Sequence, residues 1–182
     1  TSNIPAIYDR SNPYVTFGRM LESVNVDEEY IPLLGAIMMG ESGGRPTIDT
    51  VKSGLDVGQR NEYSIGLLQV NTKAHADKLR KLGYSFDDLR NPVKNLEVAM
   101  LVWEEWTNVL IKRGVPPEEA KRQALDRWGA YSDGAYKNYL PEATAQWERY
   151  RQQQNLPTWQ QSSHMKPAAQ RWVDQNGGAW IG

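Results

Sequence analysis

Ile31-Pro32-Leu33-Leu34-Gly35-Ala36-Ile37-Met38-Met39-Gly40-Glu41-Ser42-Gly43-Gly44 is apolar on every face of a 3.6-residue helix until it reaches Glu41. A helix with no polar face is enclosed by its domain and does not lie on the surface. Asp27, Glu28 and Glu29 supply the negative charge favoured at a helix start, so a helix is predicted from about Asp27 or Pro32 to Glu41, stopped by Gly43 and Gly44. Glu41 thus stands at the closing end of a buried element. Burial and the negative end of the helix dipole both disfavour its charge, so its proton should be held to higher pH than in a free glutamate. A glutamic acid that keeps its proton is a general acid, and a glycosidic bond needs one because the departing sugar oxygen leaves poorly until protonated. The alternative is an ordinary ion pair between Glu41 and a nearby Arg45 or Arg60.

The remaining periodic segments are also helical, separated by Gly and Pro, and alternating runs long enough for a sheet are scarce. Asn71 to Leu82 is predicted as a helix. Asn91 caps, and Pro92 opens, a long helix reaching to near Gly114, with Leu96, Ala99, Trp103, Trp106 and Leu110 along one side. Pro116 and Pro117 start another, carrying Ala120, Ala124, Leu125 and Trp128 before Gly129, and a last helix from Pro141 packs Trp147 and Tyr150. The fold class is therefore mainly α, a single globular domain with little or no β. Residues 1–26 are assigned as an N-terminal extension, 27–150 as the catalytic domain, and 151–182 as a polar, Gln-rich tail containing Trp159, Trp172 and Trp180 that packs on the domain.

Composition narrows the partners. The 182 residues suffice for one core without disulfides or metal, and a formal charge of -1 offers no basic surface for nucleic acid or anionic membrane. Cysteine is absent, which removes Cys-based zinc sites and nucleophiles and leaves the redox compartment open. No stretch approaches the ~20 apolar residues of a membrane span. His75 and His164 are far apart in polar surroundings, without metal-ligand spacing, so neither a metal nor a cofactor is expected.

Four segments carry a resemblance. Glu41-Ser42-Gly43-Gly44-Arg45-Pro46 resembles the glutamate motif of soluble lytic transglycosylases and goose-type lysozymes, and Ser64-Ile65-Gly66-Leu67-Leu68-Gln69-Val70-Asn71 looks like their G-L-M-Q-I segment with Leu68 in the Met position. Leu89-Arg90-Asn91-Pro92-Val93-Lys94-Asn95-Leu96 is similar to the family's D-P-x-x-N-I helix start. Ala130-Tyr131-Ser132-Asp133-Gly134 resembles its A-Y-N-A-G turn, with Tyr139 following as the family's Tyr does. Order and spacing agree from Asp27 to about Tyr150.

The resemblance implies a lysozyme-like fold with a substrate groove, and cleavage of peptidoglycan between N-acetylmuramic acid and N-acetylglucosamine with Glu41 as acid and then base. The product it implies is a 1,6-anhydro ring, formed without water. Ser64, Gln69 and Tyr139 would orient Glu41 or the N-acetyl group, Tyr131 and Ser132 would line the groove, and Asn71 offers an amide to sugar hydroxyls. Gly66 would let the backbone pass close to a bound sugar, although Gln69 and Asn71 can equally serve their own backbone.

The chain departs from the pattern in three ways. The stretch from Thr47 to Tyr63 is long and holds Asp49, Asp56 and Glu62, any of which as a second acid would give water-consuming, inverting hydrolysis instead. Ser132 stands where the family has Asn, and the chain is not basic although its substrate is acidic, which favours recognition by hydrogen bonds and rings. A different class, an inactive peptidoglycan-binding or structural module, is distinguished by whether Glu41 works. The first residues, TSNIPAIYDRSNPY, lack the basic start and apolar run of a secretory signal. The expected setting is a phage virion or tail acting on the bacterial wall, within a larger virion or secretion assembly, with the periplasm as alternative.

Overall fold

The all-apolar stretch forms helix α2, Ile31–Ser42, and its residues from Ile31 to Met38 are all buried. A short 3-10 turn, Glu28–Tyr30, precedes it, so the acidic residues stand before the helix, not in its first turn. Gly43 closes α2 in the left-handed conformation (φ 63°), its N–H donating to Met39 O at 2.8 Å. The computed structural model describes residues 7–51, 63–130 and 134–154.

Helix α1, Pro13–Ser23, lies inside the predicted N-terminal extension and packs against α2. Its Phe17, Met20 and Leu21 are fully enclosed and belong to the same core as Leu34, Ile37 and Met38. Three more helices match the predicted ones closely: α4, Pro92–Lys112, α5, Pro117–Ala130, and α6, Leu140–Gln153. Asn91 caps α4 as expected, its side-chain oxygen accepting from the N–H groups of Val93 (2.9 Å) and Lys94 (3.2 Å). The expected inner face of α5 and Trp147 of α6 are buried, with Ala120, Ala124, Leu125, Trp128 and Trp147 all in the interior; of the α4 face Leu96 and Ala99 are buried, whereas Trp103, Trp106 and Leu110, like Tyr150, are only half-buried. Helices α1, α5 and α6 and the 3-10 turn Ala135–Asn138 surround α2, which accounts for its lack of a polar face.

Two elements differ from expectation. Helix α3 is only Ala76–Leu82, because Asn71 spends its side-chain oxygen on the N–H groups of Lys73 (3.0 Å) and Ala74 (2.8 Å), holding residues 72–75 in turns. A small antiparallel sheet is also present, in the order β1 (Asp49–Val51), β2 (Tyr63–Ile65), β3 (Val70–Asn71), with Thr50 opposite Ser64 and Ser64 opposite Asn71. The molecule is mainly α all the same. No helix among the described residues is long and apolar enough to cross a membrane. Of the predicted 151–182 tail, residues 151–153 belong to α6, and 155–182 lie outside the described residues.

Candidate active site

Glu41 sits in the last turn of α2. Its Oε1 is buried, with no hydrogen-bond partner among the described residues. Burial pushes its carboxyl up from 4.5 to about 7, with no charged group contributing to the shift. Arg45, one of the two arginines proposed as an ion-pair partner, donates from Nε to Ser42 O at 3.1 Å instead. Arg60 lies outside the described residues. Glu41 is thus buried at the end of an apolar helix, as its sequence predicts, and its proton is stabilised by exclusion of water.

The turn after Glu41 is braced from both sides. Ser42 Oγ donates to Met38 O (3.0 Å) and accepts from the Gly44 N–H (3.2 Å). Tyr8, from the segment leading into α1, donates from its hydroxyl to Gly44 O at 2.7 Å. Burial raises that hydroxyl to about 12, so it remains a donor at any working pH. On the other side, Gly40 lies so close to the 3-10 turn Ala135–Asn138 that a Cβ there would stand 3.1 Å from the backbone nitrogen of Tyr136. This contact sets the start of α6, with Tyr139 at its N-terminus and 38% exposed, alongside the Glu41 end of α2.

The Ser64–Asn71 segment forms the third part. Ile48, seven residues beyond Glu41, accepts from the Gly66 N–H (2.8 Å) and from Gln69 Nε2 (3.3 Å), which ties the sheet to the chain leaving α2. Gln69 has φ of 49°, rare for a residue with a side chain, and its amide nitrogen also donates to Gly66 O at 3.0 Å. That nitrogen is thus engaged locally, as is the side-chain oxygen of Asn71. Ser64 is half-buried at the centre of the sheet.

Gly66 has a different reason from the one its sequence suggested. At φ 81° its α-carbon faces Leu89 O and Asn95 Nδ2 so closely that a Cβ would overlap both. The close approach is to the protein's own helix start. Asn95, wholly buried, donates from Nδ2 to Ile65 O (2.8 Å) and Leu89 O (2.9 Å) and accepts from the Leu68 N–H (3.1 Å). Trp128 of α5 adds a donor to Leu68 O at 3.0 Å. These two side chains hold the Gly66–Gln69 turn, and neither had been singled out as a site residue. The signal for Asn95 was a polar residue on the inward face of α4, since a buried amide is retained only where it is fully bonded.

Of the acids offered as a second catalytic group, Asp49 binds Arg90, with Nη2 to Oδ2 at 2.5 Å, and Arg90 also pairs with Asp87 at 3.0 Å. Asp56 and Glu62, and the groove candidates Tyr131 and Ser132, lie outside the described residues. His75 is buried 6.0 Å from the Trp106 ring, yet within reach of the charges of Lys78, Asp77, Glu105 and Arg127, and burial with the Lys78 cation lowers its imidazolium to about 4; His164 lies outside the described residues.

A mainly helical fold around a buried apolar helix that ends on a proton-holding glutamate is consistent with a lysozyme-like domain. The family model described as Transglycosylase SLT domain matches residues 23–155, and the chain belongs to that family, whose members are peptidoglycan lytic transglycosylases. No curated protein and no solved structure matches.

Proposed function

We propose that the chain cleaves the glycan strand of peptidoglycan between N-acetylmuramic acid and N-acetylglucosamine, with Glu41 acting first as general acid and then as base. The observation that carries this is the isolated, buried carboxyl of Glu41, raised to about 7 without a counter-ion. Protonated, Glu41 gives its proton to the bridging oxygen as the bond from the muramyl C1 breaks, and the substrate's N-acetyl oxygen bonds to C1 in its place. The muramyl C6 hydroxyl then displaces that oxygen and returns its proton to Glu41, which closes the 1,6-anhydro ring. Atoms balance without water, and the enzyme ends as it began. In this reading Tyr139, 38% exposed at the start of α6, would stack on a sugar ring, and Ser64, Gln69 and Asn71 would contact the strand, with Tyr131 and Ser132 as further groove candidates.

Hydrolysis would need a second free carboxylate to activate water. Asp49 suits that role poorly because its carboxylate is bound by Arg90. The test uses purified cell walls with wild type and Glu41→Gln. Loss of about 10²–10⁴-fold in the variant is expected for removal of a general acid. Mass spectrometry of the released sugars should find muropeptides one water lighter than hydrolysis products. Equal activity in both proteins, or none in either, would refute the catalytic role of Glu41, and a dominant reducing-end product would refute ring closure.

A further inference from the structure

A groove of about 1,020 Å³ opens at the opposite end of α2 from Glu41, lined by Val24, Val26, Tyr30, Leu82, Met100 and Trp103. Tyr30 precedes Glu41 by eleven residues, about 16 Å along a helix at 1.5 Å per residue, so the groove is separate from the candidate active site. Its apolar surface continues to Ile111, which is 38% exposed. Its lining carries three acids, Asp27, Glu97 and Glu104, against one lysine, Lys121, which already lies 3.2 Å from Glu118 and 3.9 Å from Asp27; Glu97 also accepts from the Tyr84 hydroxyl at 3.0 Å, and Lys94 stands 5.3 Å over the Tyr84 ring. An aromatic side chain next to a positive charge is the chemistry that such a surface accepts.

The exit of the chain from the described fold indicates where that side chain comes from. In the last turn of α6, Arg151 pairs with Glu22 at 3.0 Å and with Glu28 at 2.7 Å, and these two carboxylates bracket the 24–27 segment that forms one wall of the groove. Gln154 therefore leaves α6 beside the groove, and residues 155–182 follow it. They carry three tryptophans and two cations, Lys166 and Arg171, against one acid, Asp174. Arg171-Trp172-Val173 joins a cation, a large ring and an aliphatic side chain in sequence. An extended chain from Gln154 to Trp172 reaches up to roughly 60 Å, ample for any point of the groove.

We propose that the groove is the docking site of the chain's own 155–182 segment, with Trp172 seated on Met100 and Trp103 and Arg171 against Glu97 and Glu104. The chain has no cysteine, so a photoreactive label can be placed by Asn108→Cys at the groove wall of the full chain, and by Lys137→Cys as a control near the Glu41 end. Mass spectrometry should find the label at position 108 joined to residues 165–180 of the same molecule, with isotope-mixed samples separating products within and between copies. Trp172→Ser should lower that yield about tenfold, as loss of a central aromatic anchor does. An unchanged yield in Trp172→Ser, a product joining two copies, no product on the segment, or an equal yield from position 137 would each overturn the proposal.

Discussion

Asn95 shows how one side chain can hold a site it does not enter. Its amide satisfies two carbonyls and one N–H that belong to three different stretches, β2, the turn before α4 and the Gly66–Gln69 turn. Asn95→Ala would leave all three buried and unpaired, at about 1–3 kcal/mol for each unsatisfied group. We expect a loss of at least 3 kcal/mol in urea unfolding, with activity falling further than stability alone explains, because the turn that carries Gln69 loosens. Asn95→Asp keeps the acceptor for Leu68 but loses both donors, so it should be nearly as harmful. Tyr8 is a milder case. Tyr8→Phe removes the bond to Gly44 O and a weak contact with the Met38 sulfur, and should cost about 1 kcal/mol, seen as a small fall in Tm. If Tyr8→Phe reduces kcat while leaving KM unchanged, the brace after Glu41 serves catalysis as well as folding.

At the scale of elements, the sequence was legible where periodicity ran long. α2, α4, α5 and α6 have whole turns of apolar residues with Pro or Asn-Pro at their starts, and these cues survive because tertiary packing agrees with them. α1 was equally legible: Asn12-Pro13 repeats the Asn91-Pro92 start, and Tyr14, Phe17, Gly18 and Leu21 make one buried face. Polar neighbours in sequence hide that face from a reading by composition. The sheet could not be read, since strands of two or three residues are too short for a period of two to register. Within the candidate site, the burial of Glu41 was legible from the apolar helix alone. Gly66 and Gln69 were recognised by pattern but not by reason, because their contacts lie with Asn95 and Ile48, which are distant in sequence. The place of α1 in the core gives a test. Phe17 is fully enclosed against α2, so Phe17→Ala should cost about 3–5 kcal/mol, roughly 10 °C in Tm. A true appendage would melt apart from the rest and leave the main transition where it was.

Across the whole molecule, two buried groups give the stability opposite dependences on pH. Glu41 rises from 4.5 to about 7, so the native state keeps a proton that the unfolded chain sheds, and stability falls as pH climbs through this window. His75 drops from 6.5 to about 4, so the native state sheds a proton that the unfolded chain keeps, and stability is lost as pH falls through that window. Each contributes a slope of up to about 1.4 kcal/mol per pH unit with opposite sign, so wild type should be nearly level between about pH 4.5 and 6.5. Asp9, Asp77, Asp88 and Glu118 are held low and act only below that range, whereas Glu148, raised by burial, adds to the sign of Glu41. Glu41→Gln removes one side of this balance. Its stability in urea should rise by about 2–3 kcal/mol from pH 4.5 to 6.5 and exceed wild type at pH 8, while His75→Gln should decline over the same range. Parallel profiles in all three proteins would show that burial of these groups does not set the balance. The stability gained by Glu41→Gln above neutrality measures the cost of ionising a buried acid, and the same energy keeps Glu41 protonated for transfer. The activity of wild type should accordingly fall as pH rises through about 7, where the fold begins to bear the charge.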